Sequence, residues 1–386
     1  MKSEGIKPVF KRRRMLAWLA GAFVAPRTFA QVTSNQSPVT SHSFQYPLEG
    51  YQSQFAPVVP GYQLRFPRDE GSHPGFRTEW WYLTGWLDVP DGTKLGFQIT
   101  FFRARLRLDD VNPSAFAPRQ ILIAHAALSD PAFGRLRHDQ RVARAGLGLA
   151  GASRDRLEVW IDGWTLHQVG PGYRASISAR DFQFDFTFAA TQPPLLQGVN
   201  GYSRKGPDPE SASYYYSLPQ LKVNGALTRN GKAQSISGSA WLDHEWSSRY
   251  MDKDATGWDW IGINLANGGA LMAFRMRDRQ GGRFWAGGSY RSPDGVTRTL
   301  GVQDVVFTPR REWRSPRTGT AYPVSWHISA GALAFEIEPL MDDQEYDTRL
   351  STGTIYWEGA VRALQHGKPA GSGYLEMTGY WRPMQI

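Results

Sequence analysis

Polar residues sit among aromatic ones at four places in this chain of 386 residues. They are His73-Pro74-Gly75-Phe76-Arg77-Thr78-Glu79-Trp80-Trp81-Tyr82, Ile121-Leu122-Ile123-Ala124-His125, Trp241-Leu242-Asp243-His244-Glu245-Trp246 and Gly257-Trp258-Asp259-Trp260. If the third run is a strand, alternation puts Leu242, His244 and Trp246 on one face and Trp241, Asp243 and Glu245 on the other. A carboxyl group among indoles is poorly solvated, so its pKa rises and it can hold a proton near neutral pH as a general acid. Neighbouring indole and phenol rings stabilise a cation through their negative faces. Together these features meet the needs of protonating an electron-rich double bond or an acetal oxygen. The plainer alternative is a β core in which each buried Asp or His is satisfied by a backbone group or an arginine.

Other chemistries lack their signatures. No G-x-S-x-G elbow surrounds a serine, no Walker loop is present, and His244-Glu245 is not followed by the second His of a zinc helix. A metal site built from His73, His125, His244 and carboxylates stays open on residue types alone. With no cysteine anywhere, disulfides, zinc-thiolate sites and thiol nucleophiles are excluded.

The elements that must position these residues read as strands. Phe182, Phe184, Phe186 and Phe188 alternate with polar residues, and Leu333, Phe335 and Ile337 repeat the device. Asp91-Gly92, Asp162-Gly163, Asn224-Gly225, Asn230-Gly231, Asn267-Gly268 and Asp294-Gly295 stand at hairpin-like positions. No long amphipathic helix is evident, so an all-β fold is expected. A weak internal repeat refines this: Trp81-x-x-x-Gly85 precedes Phe102-Arg103-Ala104-Arg105, and Trp258-x-x-x-Gly262 precedes Phe274-Arg275-Met276-Arg277. Two barrel-like halves are expected, with Trp81 equivalent to Trp258 and Arg103 to Arg275, meeting between residues 225 and 240. The domains then run 61–232 and 233–386.

The net charge of +9 looks at first like a nucleic-acid signal. Lys2, Lys7, Lys11, Arg12, Arg13, Arg14 and Arg27 against Glu4 put +6 of that in the first 30 residues, leaving no case for a polyanion partner. That segment instead reads as a leader. The twin arginines Arg12-Arg13 precede an apolar run from Leu16 to Ala25 and a small-residue exit ending at Ala30, which predicts export by the folded-protein (Tat) route to the periplasm. Residues 31–60, rich in Ser, Gln, Thr and Pro, read as a linker or extended arm. No later stretch is apolar enough to span a membrane as a helix.

Several motifs resemble those of the AttH-like proteins, which group with the carotenoid 1,2-hydratases in a lipocalin-like superfamily of predicted secreted hydrolases. They include His73-Pro74, Glu79-Trp80-Trp81-Tyr82-x-Thr84-Gly85, Ala124-His125-x-Ala127, Gly201-Tyr202-Ser203-x-Lys205, Tyr214-x-Tyr216-Ser217-x-Pro219, Asp243-His244-Glu245-Trp246, Gly257-x-Asp259-Trp260 and Gly373-Tyr374-x-Glu376-x-Thr378-Gly379-Tyr380. The resemblance, which runs from about residue 60 to 385, implies two lipocalin-like β-barrels. It also implies cofactor-free and metal-free chemistry: acid protonation of a terminal double bond to a tertiary cation, then capture by water. The hydratases' His-x-Trp pattern is similar to His244-Glu245-Trp246. Their Tyr-x-Asp pattern has its nearest counterpart in Gly257-Trp258-Asp259. His244, Trp246, Asp259 and Asp243 are therefore the expected catalytic residues. Glu79, Trp81, His125, Tyr214, Tyr216, Glu245, Trp258 and Trp260 are the expected substrate-binding ones. The leading expectation is a periplasmic protein that binds a hydrophobic lipid or isoprenoid and acts on it by acid-catalysed hydration or hydrolysis. The alternative is a non-catalytic lipid carrier serving an inner-membrane ABC transporter, in which Asp243, His244 and Asp259 would be buried and fully hydrogen-bonded.

Overall fold

The computed structural model describes residues 55–106 and 119–384. The expected leader and all but the last residues of the expected linker lie outside these. Thirteen antiparallel strands form a first sheet: β1 (Thr78–Asp88), β2 (Lys94–Arg105), β3 (Gln120–Ser129), β4 (Arg137–Arg144), β5 (Ala150–Ala152), β6 (Glu158–Ile161), β7 (Trp164–Val169), β8 (Gly172–Ser178), β9 (Phe182–Ala189), β10 (Leu195–Leu196), β11 (Tyr202–Arg204), β12 (Ala212–Arg229) and β13 (Lys232–Arg249). Ten form a second: β14 (Gly257–Leu265), β15 (Ala270–Arg277), β16 (Arg283–Arg291), β17 (Thr297–Leu300), β18 (Val305–Arg314), β19 (Ala321–Ala330), β20 (Leu333–Pro339), β21 (Glu345–Asp347), β22 (Ile355–Gln365) and β23 (Lys368–Met377). Among the described residues the only helical turns are short 3-10 segments at Arg68–Glu70 and Pro131–Phe133.

Each sheet closes on itself in the same way. The opening strand pairs with both its successor and the final strand, β1 with β2 and β13, and β14 with β15 and β23. The far ends then come together, β6 packing on β3 and β4, and β18 on β15 and β16. Closure leaves few bare edges, and the result is two lipocalin-like barrels.

Alternation fills them. In β9 the four phenylalanines are buried and the residues between them exposed, so the rings enter the first core. A third apolar layer, including Tyr82, Trp241, Trp260, Met272 and Tyr374, lies where the outer face of one barrel meets the outer face of the other.

Four expectations need correction. The passage between barrels falls at residues 250–256, not near 232, because β12 and β13 form one hairpin of two 18-residue strands inside the first sheet. Asn224-Gly225 is not a turn but lies mid-strand in β12, where a Cβ at Gly225 would meet the Asp185 carbonyl oxygen of β9 at 2.1 Å. The repeat is real in its strands but offset in register. Arg103 lies opposite Glu79 and Arg275 opposite Asp259, so Trp80 matches Trp260 while Trp81 and Trp258 are not equivalent. The end of the expected linker also belongs to the fold: Phe55 and Val58 are buried, and Tyr214 Oη accepts from Val59 N and donates to Val59 O.

Candidate active site

Because the strands alternate, every strand between the barrels carries two sets of side chains. From the first barrel, Trp80 and Tyr82 of β1, Tyr215 of β12 and Asp243 and Glu245 of β13 point outward; from the second come Trp258 and Trp260 of β14, Tyr356 and Glu358 of β22 and Glu376 of β23. These residues meet around a cavity of about 380 Å³. That is the scale of a small-molecule site, with apolar rings surrounding a few polar groups.

Four carboxyl groups enter it. Asp243 accepts hydrogen bonds from Trp241 Nε1 at 2.6 Å, Tyr215 Oη at 2.7 Å and Ser217 Oγ, and Trp260 Nε1 donates to the same Tyr215 oxygen at 3.0 Å. Burial pushes Asp243 up to about 7 in spite of those three donors. Glu245 is also raised by burial, but Lys205 Nζ opposes the rise at 2.8 Å. The lysine is buried, its ammonium 4.4 Å from the centre of the Phe274 ring and 4.9 Å from that of Tyr215. Glu358 and Glu376 are direct partners across β22 and β23. Burial raises Glu376 to about 7, against a donated bond of 3.0 Å from Trp258 Nε1. Glu358 is held well above the carboxylate range by burial and then by the charge of Glu376. Two carboxylates directly opposed in an apolar wall do not both ionise readily, so the pair keeps a proton at neutral pH. Glu358 Oε1 and the Tyr82 hydroxyl are buried and make no hydrogen bond of ordinary geometry, although Tyr82 and Tyr356 lie close enough to the Glu358 carboxyl to oppose its rise.

Of the residues expected from sequence, the cavity gathers Asp243, Glu245, His125, Trp258 and Trp260, with Glu79 bordering it while its carboxylate turns inward. His244 and Trp246 do not line it. They share the inner face of β13 and are fully buried inside the first barrel with Trp81, Tyr214 and Tyr216. There His244 Nε2 lies 3.0 Å from Glu79 Oε1, His73 Nδ1 lies 2.7 Å from the same oxygen, and Arg103 Nε donates to Glu79 Oε2 at 2.7 Å. His73 stacks on Trp246 at 3.7 Å. Burial pushes His73 down, but Asp69 and Glu79 on its two nitrogens more than offset this and its pKa is raised; His244 is lowered by burial. His73, Glu79 and His244 bring ligand atoms within 4.8 Å of one another. The guanidinium already bound to that carboxylate opposes a metal ion, and the group is a closed charge network.

Asp259 is likewise removed from the cavity. It faces the second barrel's interior, where Arg275 Nε lies at 2.6 Å, Arg277 Nε at 3.2 Å and Tyr380 Oη donates at 2.9 Å. Its carboxyl group is thus engaged by two guanidinium groups and a phenol inside the second barrel. Trp258 and Trp260 on either side of it necessarily face the other way, into the cavity.

His125 sits in a chain of hydrogen bonds that fixes its tautomer. Gln140 Nε2 donates to Asp347 O at 3.0 Å, so Gln140 Oε1 is the acceptor for Ser351 Oγ. Ser351 therefore spends its proton there or on Thr348 O, and His125 Nε2 donates to it at 2.8 Å while Nδ1 accepts from Tyr356 Oη at 3.1 Å. Burial pushes His125 down to about 3, keeping it neutral. With its Nε2 a donor, His125 is no base for Ser351, and the two do not form a nucleophilic dyad.

Sequence reasoning missed Glu358 as a site residue, and quoted Glu376 only within a motif. The available signal was Tyr-x-Glu occurring twice, at Tyr356-Trp357-Glu358 and Tyr374-Leu375-Glu376. The spacing puts ring and acid on one face of each strand.

The AttH-like family profile matches residues 57–380. A crystal structure assigned to AttH from Nitrosomonas europaea is 50% identical, covers 84% of this chain and 99% of that one, and superposes with a TM-score of 0.80. Kievitone hydratase from Nectria haematococca shares the fold at 16% identity, with 85% and 97% coverage and a TM-score of 0.64. No curated protein sequence matches the chain.

Proposed function

For a chain that belongs to the AttH-like family, we propose acid-catalysed hydration or hydrolysis of an uncharged hydrophobic molecule, such as an isoprenoid or another lipid, in the cavity between the barrels. The observation that carries this reading is the directly opposed pair of buried Glu358 and half-buried Glu376 on an aromatic wall. In the hydration, protonated Glu358 gives its proton to one carbon of a double bond, whose π electrons form the new C–H bond. The cation left on the more substituted carbon faces the indole and phenol rings. Water forms the C–O bond and releases a proton to the Glu376 carboxylate, from which it returns across the strand pair to Glu358. Kievitone hydratase is by its name a hydratase on a related fold, which supports the reaction class.

The test is turnover of terminal-alkene, terpenoid and ester substrates by wild type, Glu358→Gln and Glu376→Gln. Loss of general acid-base catalysis lowers the rate by about 10²–10⁴. Unchanged turnover in both variants refutes the assignment.

A second reading is favoured by the removal of His244 and Asp259 from the cavity into bonded networks: a carrier for a hydrophobic ligand that works with an ABC transporter. Stoichiometric ligand capture without turnover by wild type decides for it. In either reading the twin-arginine leader supports work outside the cytoplasm.

A further inference from the structure

Glu358 Oε1 and the Tyr82 hydroxyl, neighbours that make no hydrogen bond of ordinary geometry, come from opposite barrels and border one cavity. Glu358 is 1% exposed and Tyr82 7%. A buried carboxyl oxygen without a well-formed hydrogen bond is poorly stabilised when ionised, and a cation seated against it relieves that by charge. The charge balance states which ligand. Asp243, Glu245, Glu358 and Glu376 reach the cavity; of the cations, Lys205 beside them is matched by Glu245, and Arg103 on the cavity border is matched by Glu79. Asp243 is satisfied by three donors, and His125 on β3 is neutral. The Glu358–Glu376 pair is thus the group left with an unmet charge. Around it the faces of Trp and Tyr rings present further negative potential.

We propose that this cavity binds organic monocations of the alkylammonium class, held between the Glu358–Glu376 pair and the aromatic walls, and discriminates against carboxylate and phosphate headgroups. The proposal rests on the cavity being the functional site, but not on its being catalytic. A stable ammonium there occupies the place that the tertiary cation occupies in the hydration. Entry of the cation displaces the proton shared by the two glutamates, which passes to the buffer. Tyr82 and Tyr356, whose phenols are pushed far above their ordinary range by burial, stay protonated throughout. Tyr215 and Tyr250 are raised by burial in the same way and stay protonated, whereas Asp243, raised to about 7, titrates in the same range, so loss of the proton release in the double variant is what assigns the proton to the pair.

Isothermal titration of the full chain with benzyltrimethylammonium, its uncharged isostere neopentylbenzene and phenylacetate tests this. The expected result is cation binding at least tenfold tighter than the isostere, about 1.4 kcal/mol. Phenylacetate should bind weakest, and cation affinity should rise between pH 6 and 8 with proton release that scales with buffer ionisation enthalpy. Glu358→Gln with Glu376→Gln should erase the preference for the cation while circular dichroism stays native. Equal binding of cation and isostere, tighter binding of phenylacetate, no binding of any probe, or a preference that survives in the double variant overturns the proposal. The comparison of three probes on wild type needs no variant to fold. Cation binding without alkene turnover leaves this proposal standing and removes the catalytic reading; turnover without cation binding does the reverse.

Discussion

Replacing Glu376 by Gln removes a group that the fold holds in its acid form, and the sign of the effect follows. Its pKa is raised from 4.5 to about 7, so the folded state binds more protons than the unfolded chain between those values, and the contribution of this group to stability is lost as pH rises through that window. The stability of Glu376→Gln relative to wild type should therefore increase from about pH 4.5 to about pH 7, read by urea unfolding at stepped pH; a constant difference contradicts a stored proton. His244→Ala makes a contrasting case. It opens a void inside the first barrel and takes one partner from Glu79, which costs about 2–4 kcal/mol, while leaving the cavity wall in place. Midpoint denaturant should fall and turnover per folded molecule should stay within a few-fold of wild type. Alternation made it legible that Asp243 and Glu245 oppose His244 and Trp246. Which pair meets a ligand was not legible, since both faces of β13 are buried, one by its own barrel core and the other by the second barrel.

Between elements, the close approach of the two outer faces depends on small residues. A Cβ at Gly96 of β2 would lie 2.4 Å from the Ala360 Cβ of β22 and 3.1 Å from the Tyr374 hydroxyl of β23. Gly96→Val should force the barrels apart at a cost of about 1–3 kcal/mol and weaken any ligand of the cavity, measured by chemical denaturation and by titration of the same probe. Unaltered stability and affinity contradict the tight contact. Gln220 works to the opposite end. At the irregularity in β12 it adopts a positive φ and donates to the carbonyls of Leu265 and Gly269 in the second barrel, at 2.9 and 2.8 Å. Strand identity and the phenylalanine face of β9 were readable from period-two patterns. The opposition of Glu358 to Glu376 was not, because it depends on the register of two strands, which neither strand specifies alone.

Across the whole molecule, the layer that includes Trp241, Trp260 and Tyr374 is core to both barrels at once. Thermal unfolding should accordingly show one transition by fluorescence and by circular dichroism, and two resolved transitions would mean that the halves are independent. The proposed export is tested at the same scale. Changing Arg12 and Arg13 to Lys should leave precursor in the cytoplasm if the leader uses the folded-protein route, whereas unchanged periplasmic yield removes that route and leaves the unfolded one. The fold class was legible because two halves repeat the same hairpin. The boundary between them was misplaced because the longest hairpin, β12 with β13, falls where a domain break would be expected from length alone. The matched pairs Glu79 with Arg103 and Asp259 with Arg275 stand at corresponding places in two barrels of like strand order. The cavity, however, is made of outsides, and neither barrel alone encloses it. Substitutions in its walls therefore leave the interior of either barrel untouched, because alternation sets the two groups of side chains on opposite faces of each strand.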